Sequence, residues 1–393
     1  MKKIFIIGAS ILQLPAIKKA KEKGFIVAVA DRDTCAVGRS YADEFYPIST
    51  IDVDKILKAA TEFHADGIMT LATDMPMRAV ANATTKLSLP GISIQTAEKA
   101  TNKGKMMKAF KEHGVASPWY YVVRNDEELR KIVIKILYPC IIKPVDNAGS
   151  RGVILLNCEE ELVESYIYSR NNSRNGEVII EEYMYGDEVS VETMTINGVT
   201  HVIAITDKLT TGAPYFVEMG HSQQTKLSME IREEIQKLAI RAINAIGIEI
   251  GPAHVEIMVT KDGPKIIELG ARLGGDCIAT HLVPLSTGVD MVGATIDILT
   301  GKEPDIKQKY NMGSAIRYFN PPKGRINHID GINQAKKIDG VKEVLFTKQV
   351  GEDLSDITNS ANRIGFVIAQ GNDALDAIRI CKKVTEGITI VTV

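Results

Sequence analysis

The sequence predicts an α/β and α+β protein, with a parallel-sheet domain first, a larger mixed region next and a small α+β domain last. Three observations carry this. Strand and helix patterns alternate up to about residue 100, a strong hairpin signal lies at Ala253–Leu269, and short strands gather round one helix after residue 311. The 393 residues suffice for ample core and roughly two to four domains. With 45% apolar and 24% charged residues and a net charge of −2, nothing favours general attraction to nucleic acid or an anionic membrane. No apolar run approaches the roughly 18–20 residues that span a bilayer. Met1–Gly8 is too short in its apolar part for a signal peptide and reads as a first strand. The cysteines at 35, 140, 158, 277 and 381 form no C-x-x-C pair, which disfavours a zinc site or disulfide framework and fits a cytoplasmic protein.

Lys3–Ile7, Leu14–Lys23 and Phe25–Ala30 read as strand, helix and strand, followed by strand Asp66–Leu71 and helix Met75–Thr85. This is a Rossmann-like domain over residues 1–100. Gly8-Ala9-Ser10 with Asp31 downstream invites a dinucleotide reading, but the G-x-G-x-x-G fingerprint is missing, so a domain that helps hold substrate is expected. Thr73-Asp74 stands at a strand's carboxyl end, where such sheets place ligands, and where Asp also commonly caps a helix.

A Lys-rich helix, Ala100–Phe110, opens the middle region and contains Lys103. Strand Trp119–Val123, helix Asp126–Lys135 and an apolar strand closed by Lys143 follow. A lysine there needs an anion, since burying an unpaired ammonium is costly. Asp146–Val153, holding Gly149, Ser150 and Gly152, is a small-residue loop able to lay backbone N–H groups over phosphates, and it is not a Walker A loop. After helix Glu159–Ser169, Glu177–Glu192 runs as strand, Glu181-Glu182-Tyr183-Met184, a glycine turn with Glu188, and strand. It either presents main-chain amides to an adenine edge with Glu188 on ribose, or is a hairpin with surface carboxylates.

In the hairpin, Ala253–Thr260 and Lys265–Leu269 are joined by Lys261-Asp262-Gly263, a strong turn signal. Folded about Asp262, Glu256 falls opposite Glu268, with His254 on the Glu256 face and Arg272 continuing the Glu268 face. Two carboxylates across a ladder repel unless a cation lies between them. Oxygen ligands with room for phosphate suit Mg²⁺ or Mn²⁺, and Arg272 is placed to reach the same phosphate. Gly270, Gly274 and Gly275 indicate close backbone approach. The competing reading is a solvated hairpin face, and a register shifted by one would separate the two acids.

In this order, Lys103, Lys143, the small-residue loop, E-E-Y-M, G-D-E, H-V-E-I and E-L-G-A-R resemble the ATP-grasp superfamily over roughly residues 1–310. Asp207–Ser222 and Gly251–Ile257 carry a closer likeness to carboxylate–amine ligases of the L-amino-acid ligase type. Ligases of purine synthesis and the carbamoyl-phosphate synthase large subunit are less similar. The resemblance implies an ATP-grasp fold with a Rossmann-like pre-ATP-grasp domain (1–100), an ATP-grasp domain (101–310) with a lid at about 118–187, and a small C-terminal α+β domain (311–393). It implies ATP phosphates on Lys103 and Lys143, adenine at Glu181, Glu182, Tyr183 and Met184, ribose at Glu188, Mg²⁺ on Glu256 and Glu268, and Arg272 on the transferring phosphoryl group. The family's second metal strand commonly reads E-x-N, and Gly270 stands in the Asn position. Either water replaces that ligand or a second ion binds less tightly.

Met229–Ile246, stopped by Gly247, reads as an amphipathic core helix. Lys208, a candidate catalytic residue, either reaches a phosphate or is solvated; His254 is either catalytic or structural; His221 and His281 either line an acceptor pocket or are structural; Arg317 either binds a substrate carboxylate or makes an ordinary salt bridge. Gly274 and Gly275 belong to the same expected substrate region. Strands are expected near Gly313–Phe319, Val341–Thr347, Ile364–Gln370 and Ile388–Val391, with a helix at Asp373–Thr385. The expected activity is ATP- and Mg²⁺-dependent joining of a small carboxylate, an amino acid, to an amine through an acyl phosphate. The alternatives are a purine-type ligase acting on a phosphoribosyl amine and a nucleotide-binding protein without catalysis. A homodimer is the default assembly.

Overall fold

The computed structural model describes residues 1–147, 149 and 151–393, so Ser150 of the expected phosphate loop lies outside the described residues. Strands β1 (Lys3–Ile7), β2 (Ile26–Ala30), β3 (Glu44–Tyr46) and β4 (Gly67–Met69) form a parallel sheet in the order β3-β2-β1-β4. Continuous apolar runs make the buried strands β1 and β2, because helices cover the sheet. The helix expected from Met75 begins at Met77. The dinucleotide alternative fails on geometry. The Gln13 side chain fills the space over Gly8, and Asp31 Oδ2 accepts the Ala9 N–H at 2.9 Å.

Strands β5 (Tyr120–Val123), β6 (Cys140–Pro144), β7 (Ile154–Leu156) and β8 (Val178–Glu182) build a separate antiparallel sheet ordered β5-β8-β6-β7. It has its own small core, including Leu129, Ile142, Leu162 and Tyr166.

The main sheet is antiparallel with eight strands. Strands β9 (Asp187–Ile196), β10 (Val199–Thr210), β11 (Glu218–Gln223), β12 (Gly251–Thr260) and β13 (Gly263–Gly270) come from the middle region, ordered β13-β12-β9-β10-β11. Beyond β11 the same sheet continues through β14 (Gly313–Tyr318), with β15 (Gly324–Asp330), β16 (Val341–Phe346), β17 (Asp353–Leu354), β18 (Gly365–Gly371) and β19 (Thr389–Thr392) following in the chain. Its last neighbours are β14-β18-β16, while β17-β15-β19 form a small sheet of their own. Hydrogen bonding therefore runs unbroken past residue 310.

Alternation along β9, β10, β12 and β13 sorts this sheet into two faces. Val189, Val191, Ile205, Val255, Ile257 and Leu269 are buried in one core with helix Met229–Ile246. That helix opens on Ser228, whose side chain accepts the Ile231 N–H, and stops at Gly247 in the left-handed region (φ +90°). The apolar face anchors the sheet and leaves the other face for polar groups. Among the described residues, no single helix is long and apolar enough to cross a membrane.

Ile243 on that helix is fully buried. Ile243→Ala should lower unfolding stability by about 2–5 kcal/mol, through lost burial and the cavity left behind. Urea titration with an unchanged m-value checks this, and a loss below about 1 kcal/mol would refute the packing.

Candidate active site

The second face of the sheet is polar in a way a solvated surface is not. Glu188, Ser190 and Glu192 alternate along β9, and His254, Glu256 and Met258 stand beside them on β12, paired as His254–Glu192, Glu256–Ser190 and Met258–Glu188. Across the other edge of β12, Glu256 pairs with Glu268 as expected, although the chain reaches that register by another route. The turn is closed by Thr260 and Gly263, which alone would set Glu256 against Ile267. A bulge between Glu256 and Ile257 restores the Glu256–Glu268 pair.

Lysines neutralise these acids. Lys208, its side chain only 2% exposed, lies 2.6 Å from Glu188, 3.1 Å from Glu256 and 3.5 Å from Glu218. Lys103, the first helical residue after its cap Asn102, lies 3.1 Å from Glu268 and donates to the Asn147 carbonyl at 2.9 Å. Burial alone would lower the Lys208 pKa, but Glu188, Glu256 and Glu218 outweigh it and raise it well above the ordinary value. Three carboxylates about one ammonium still leave two formal negative charges. Glu188 shows the surplus: burial pushes its pKa up, Glu256 and Glu218 add to this, and Lys208 opposes it. Glu256 is instead held well below the carboxylate range, because Lys208 and His254 outweigh its burial.

His254 is not placed as a free base. Its Nδ1 bonds Glu192 and its Nε2 lies 3.4 Å from Glu256. Burial lowers its pKa, but Glu192 and Glu256 raise it to about 9, so it stands as a cation at neutral pH. The expectation of a catalytic histidine gives way to a charged strut between two acids. Arg272 is also engaged, through Nε and Nη2 to the two oxygens of Asp74 at 2.9 and 3.0 Å.

The cleft over this face is walled by the smaller sheet. Lys103, Lys143, Gly149, Glu181, Glu182, Tyr183, Met184, Glu188, Glu218, Glu256 and Glu268 all line it. Lys143 meets the anion its burial requires, Glu181 Oε2 at 2.6 Å. Glu181 Oε1 is buried with no hydrogen-bond partner among the described residues, an acceptor left over at this end of the cleft. The Glu182 carboxylate turns to Lys265 at 3.0 Å, so only its backbone is left for a ligand. Gly152 is fixed by packing, since a β-carbon there would lie 2.8 Å from Pro144 and Asn172.

The expected substrate residues lie outside the cleft lining. His221 is buried, with Nε2 3.4 Å from Asp276 and Nδ1 without a partner among the described residues. Arg317 makes no carboxylate pair: it donates to the His221 and Ile316 carbonyls at 3.0 and 2.8 Å and faces another groove, with Tyr318 and Lys382. His281 pairs with Glu343 at 3.3 Å, away from the cleft. Gly274 is required because a β-carbon there would lie 2.6 Å from Glu192 Oε1, and its N–H donates to Glu192 Oε2. Gly275 approaches Ala72 of the N-terminal domain at 3.6 Å by the same measure.

Sequence reasoning gave no role to Glu192, Glu218, Asp276 or Arg363. Two signals were readable: Glu188, Ser190 and Glu192 repeat with strand period in an apolar strand, and Glu218 precedes His221 in V-E-M-G-H. Arg363 carried no signal. Its guanidinium grips Asp276 at 2.6 and 2.8 Å from the far end of the chain.

The donor set fits a divalent ion carried by a phosphate. Two carboxylates stand side by side on a surplus of negative charge, with lysines and a partnerless acceptor along the same cleft. Among the described residues no three His, Cys, Asp or Glu groups are disposed to hold a metal. Mg²⁺ suits such a site, because it takes one or two protein carboxylates and fills its shell with phosphate and water oxygens.

Known proteins resemble this chain in sequence and in fold. Residues 136–280 match an ATP-grasp domain and residues 317–393 match L-amino acid ligase C-terminal domain 2. The alanine–anticapsin ligase of Bacillus subtilis is 29% identical over 323 residues, covering 76% of this chain and 67% of that protein. The L-amino acid ligase from Bacillus licheniformis superposes with a TM-score of 0.87 at 23% identity, covering 100% of this chain and 99% of that one. Phosphoribosylglycinamide synthetase from Anaerococcus prevotii superposes at 0.81 and 23% identity, with both chains fully covered. At these identities the two structures establish the shared fold.

Asp276 is held far below the usual carboxylate range: burial would raise it, and Arg363 and His221 lower it more. A depressed carboxylate stabilises the fold above its unfolded pKa of about 4 and loses that contribution as pH falls. Arg363→Met should cost about 3–5 kcal/mol at pH 7, from the acid left buried and unpaired. The difference from the parent should shrink below about pH 4. Thermal melts across pH check this, and a difference constant with pH would contradict it.

Proposed function

We propose, from the premise that this chain belongs to the L-amino acid ligase branch of the ATP-grasp ligases, that it joins an amino acid carboxylate to an amine at the expense of ATP. The observation that carries this is the Glu256–Glu268 pair on the polar sheet face, with Lys208 and Lys103 against it. A carboxylate is a poor acylating agent because oxide is its leaving group. Its oxygen attacks the γ-phosphorus, the bond to the β–γ bridging oxygen breaks and ADP leaves. The amine nitrogen then attacks the acyl carbon, the C–O bond to phosphate breaks and the amine gives up a proton. Such chemistry needs positioning and charge neutralisation rather than a protein nucleophile.

In this reading Glu256 and Glu268 hold Mg²⁺, which when bound neutralises the triphosphate. Lys103 and Lys143 meet phosphate oxygens, and Arg272 meets the transferring group. Glu181 and the Tyr183 and Met184 backbone meet adenine, with Glu181 Oε1 as the unused acceptor, and Glu188 meets ribose. Gly149 and Gly152 cover the phosphates and keep water from the acyl phosphate. The alanine–anticapsin ligase among the relatives, named for joining alanine to a second compound, supports an amino acid as one partner in the new bond. A phosphoribosyl amine would need basic groups to spare, whereas Arg317 and Arg363 are already bonded to main-chain carbonyls and to Asp276.

The test is phosphate release with a panel of amino-acid pairs, alongside phosphoribosylamine and glycine. Stimulation by at least one amino-acid pair is expected, and none by any carboxylate sinks the assignment. Glu268→Gln should lower turnover by roughly 10²–10³-fold, the scale of losing one group that stabilises transferring charge. Its nucleotide affinity in EDTA should match the parent's. Equal turnover in both forms would remove Glu268 from the metal site and leave a nucleotide-binding protein as the better reading.

A further inference from the structure

Arg272 follows the metal-site strand, yet its partner comes from 198 positions earlier in the chain. Asp74 sits in the turn between β4 and helix Met77–Lys86. That helix has Pro76 at its cap position and no side-chain cap bond, so the Asp74 carboxylate is not spent on capping. It takes the Nε–Nη2 edge of Arg272 in a two-point grip, while Arg272 Nη1 donates to the Leu273 carbonyl at 3.2 Å. Those bonds use three of the five guanidinium N–H groups and leave one on each terminal nitrogen. The grip fixes where these two point.

Gly270 makes the grip sterically allowed. A β-carbon built there would collide with Asp74 Oδ1 and lie 3.1 Å from Arg272 Cζ and Nε. Its φ is not in the left-handed region, so the backbone does not demand glycine; the approaching carboxylate does. A side chain at 270 would force the Asp74 carboxylate to shift from its place on Arg272.

We propose that Asp74 is a positioning residue for phosphoryl transfer, holding Arg272 so that its two remaining N–H donors face the transferring group, with Gly270 as the gap that admits it. This rests on Arg272 acting on that group, as proposed above. A salt bridge serving only to join the N-terminal domain to the sheet would affect stability and leave turnover per folded molecule unchanged.

The experiment is a double-mutant cycle on Asp74 and Arg272, run with an amino-acid pair that supports turnover and normalised to the folded fraction from thermal melts. Asp74→Ala should lower kcat about 10–100-fold, the usual scale for a group that orients another, with KM for ATP changed less than about twofold. In an Arg272→Met background the same substitution should cost no further activity. Gly270→Ala should reproduce the Asp74→Ala loss and add nothing to it, and Asp74→Asn, which keeps one acceptor, should fall between. Equal losses from Asp74→Ala with and without Arg272, or a lowered melting temperature with unchanged kcat, would overturn the positioning role while leaving Arg272 in place. Full turnover by Arg272→Met would overturn the role of Arg272 itself, and the inference with it.

Discussion

Everything in the cleft depends on an imbalance of charge on one face of the main sheet. Glu188, Glu218 and Glu256 crowd the single ammonium of Lys208, and Glu268 stands beside them on Lys103. A site of two formal negative charges in partial burial is unstable toward protonation or toward a divalent cation. Burial and its acidic neighbours already hold Glu188 above the ordinary carboxylate range, so the first tendency is visible. The second would relieve it, and a triphosphate bringing Mg²⁺ would offer the lysines oxygens to meet as their carboxylate partners turn to the metal.

The sheet supplies the rigidity this imbalance requires. On the face opposite the acids, Val191, Val255 and Leu269 are buried with helix Met229–Ile246, so strand positions cannot drift without breaking a close-packed core. Two of the acidic residues are held in turn by neighbours from other strands and loops. Glu192 steadies His254, His254 reaches Glu256, and Gly274 closes over Glu192. Each is buried because the next one satisfies it, and the polar face is ordered as a network rather than as separate pairs.

Much of this was legible in the chain, and the exceptions have physical causes. Period-two alternation and the Lys261-Asp262-Gly263 turn were enough to bring Glu256 opposite Glu268. The bulge at Ile267 was not readable, and a symmetric fold about Asp262 reached the same pairing only because the bulge compensates a shorter turn. Strand β15 was missed because G-R-I-N-H-I-D is polar and short of β-branched residues. Lys208 carried no pattern that told a phosphate ligand from a charge buried among acids. Asp74 and Arg363 owe their places to contacts between elements far apart in sequence, which local spacing does not encode.

The unbroken sheet has a consequence for how this protein could be rebuilt. Strand β11 carries His221 and has β14 as its far neighbour, paired from Gly220–Arg317 to Gln223–Ser314. A chain ending before β14 would expose β11 as a raw edge of unpaired N–H and C=O groups, an invitation to aggregate, and would also strip Arg363 from Asp276. The final fifth of the molecule is thus built into the main sheet and is not a detachable module. Chimaeras that graft it from a relative would have to match the ladder at β11 as closely as any pocket residue.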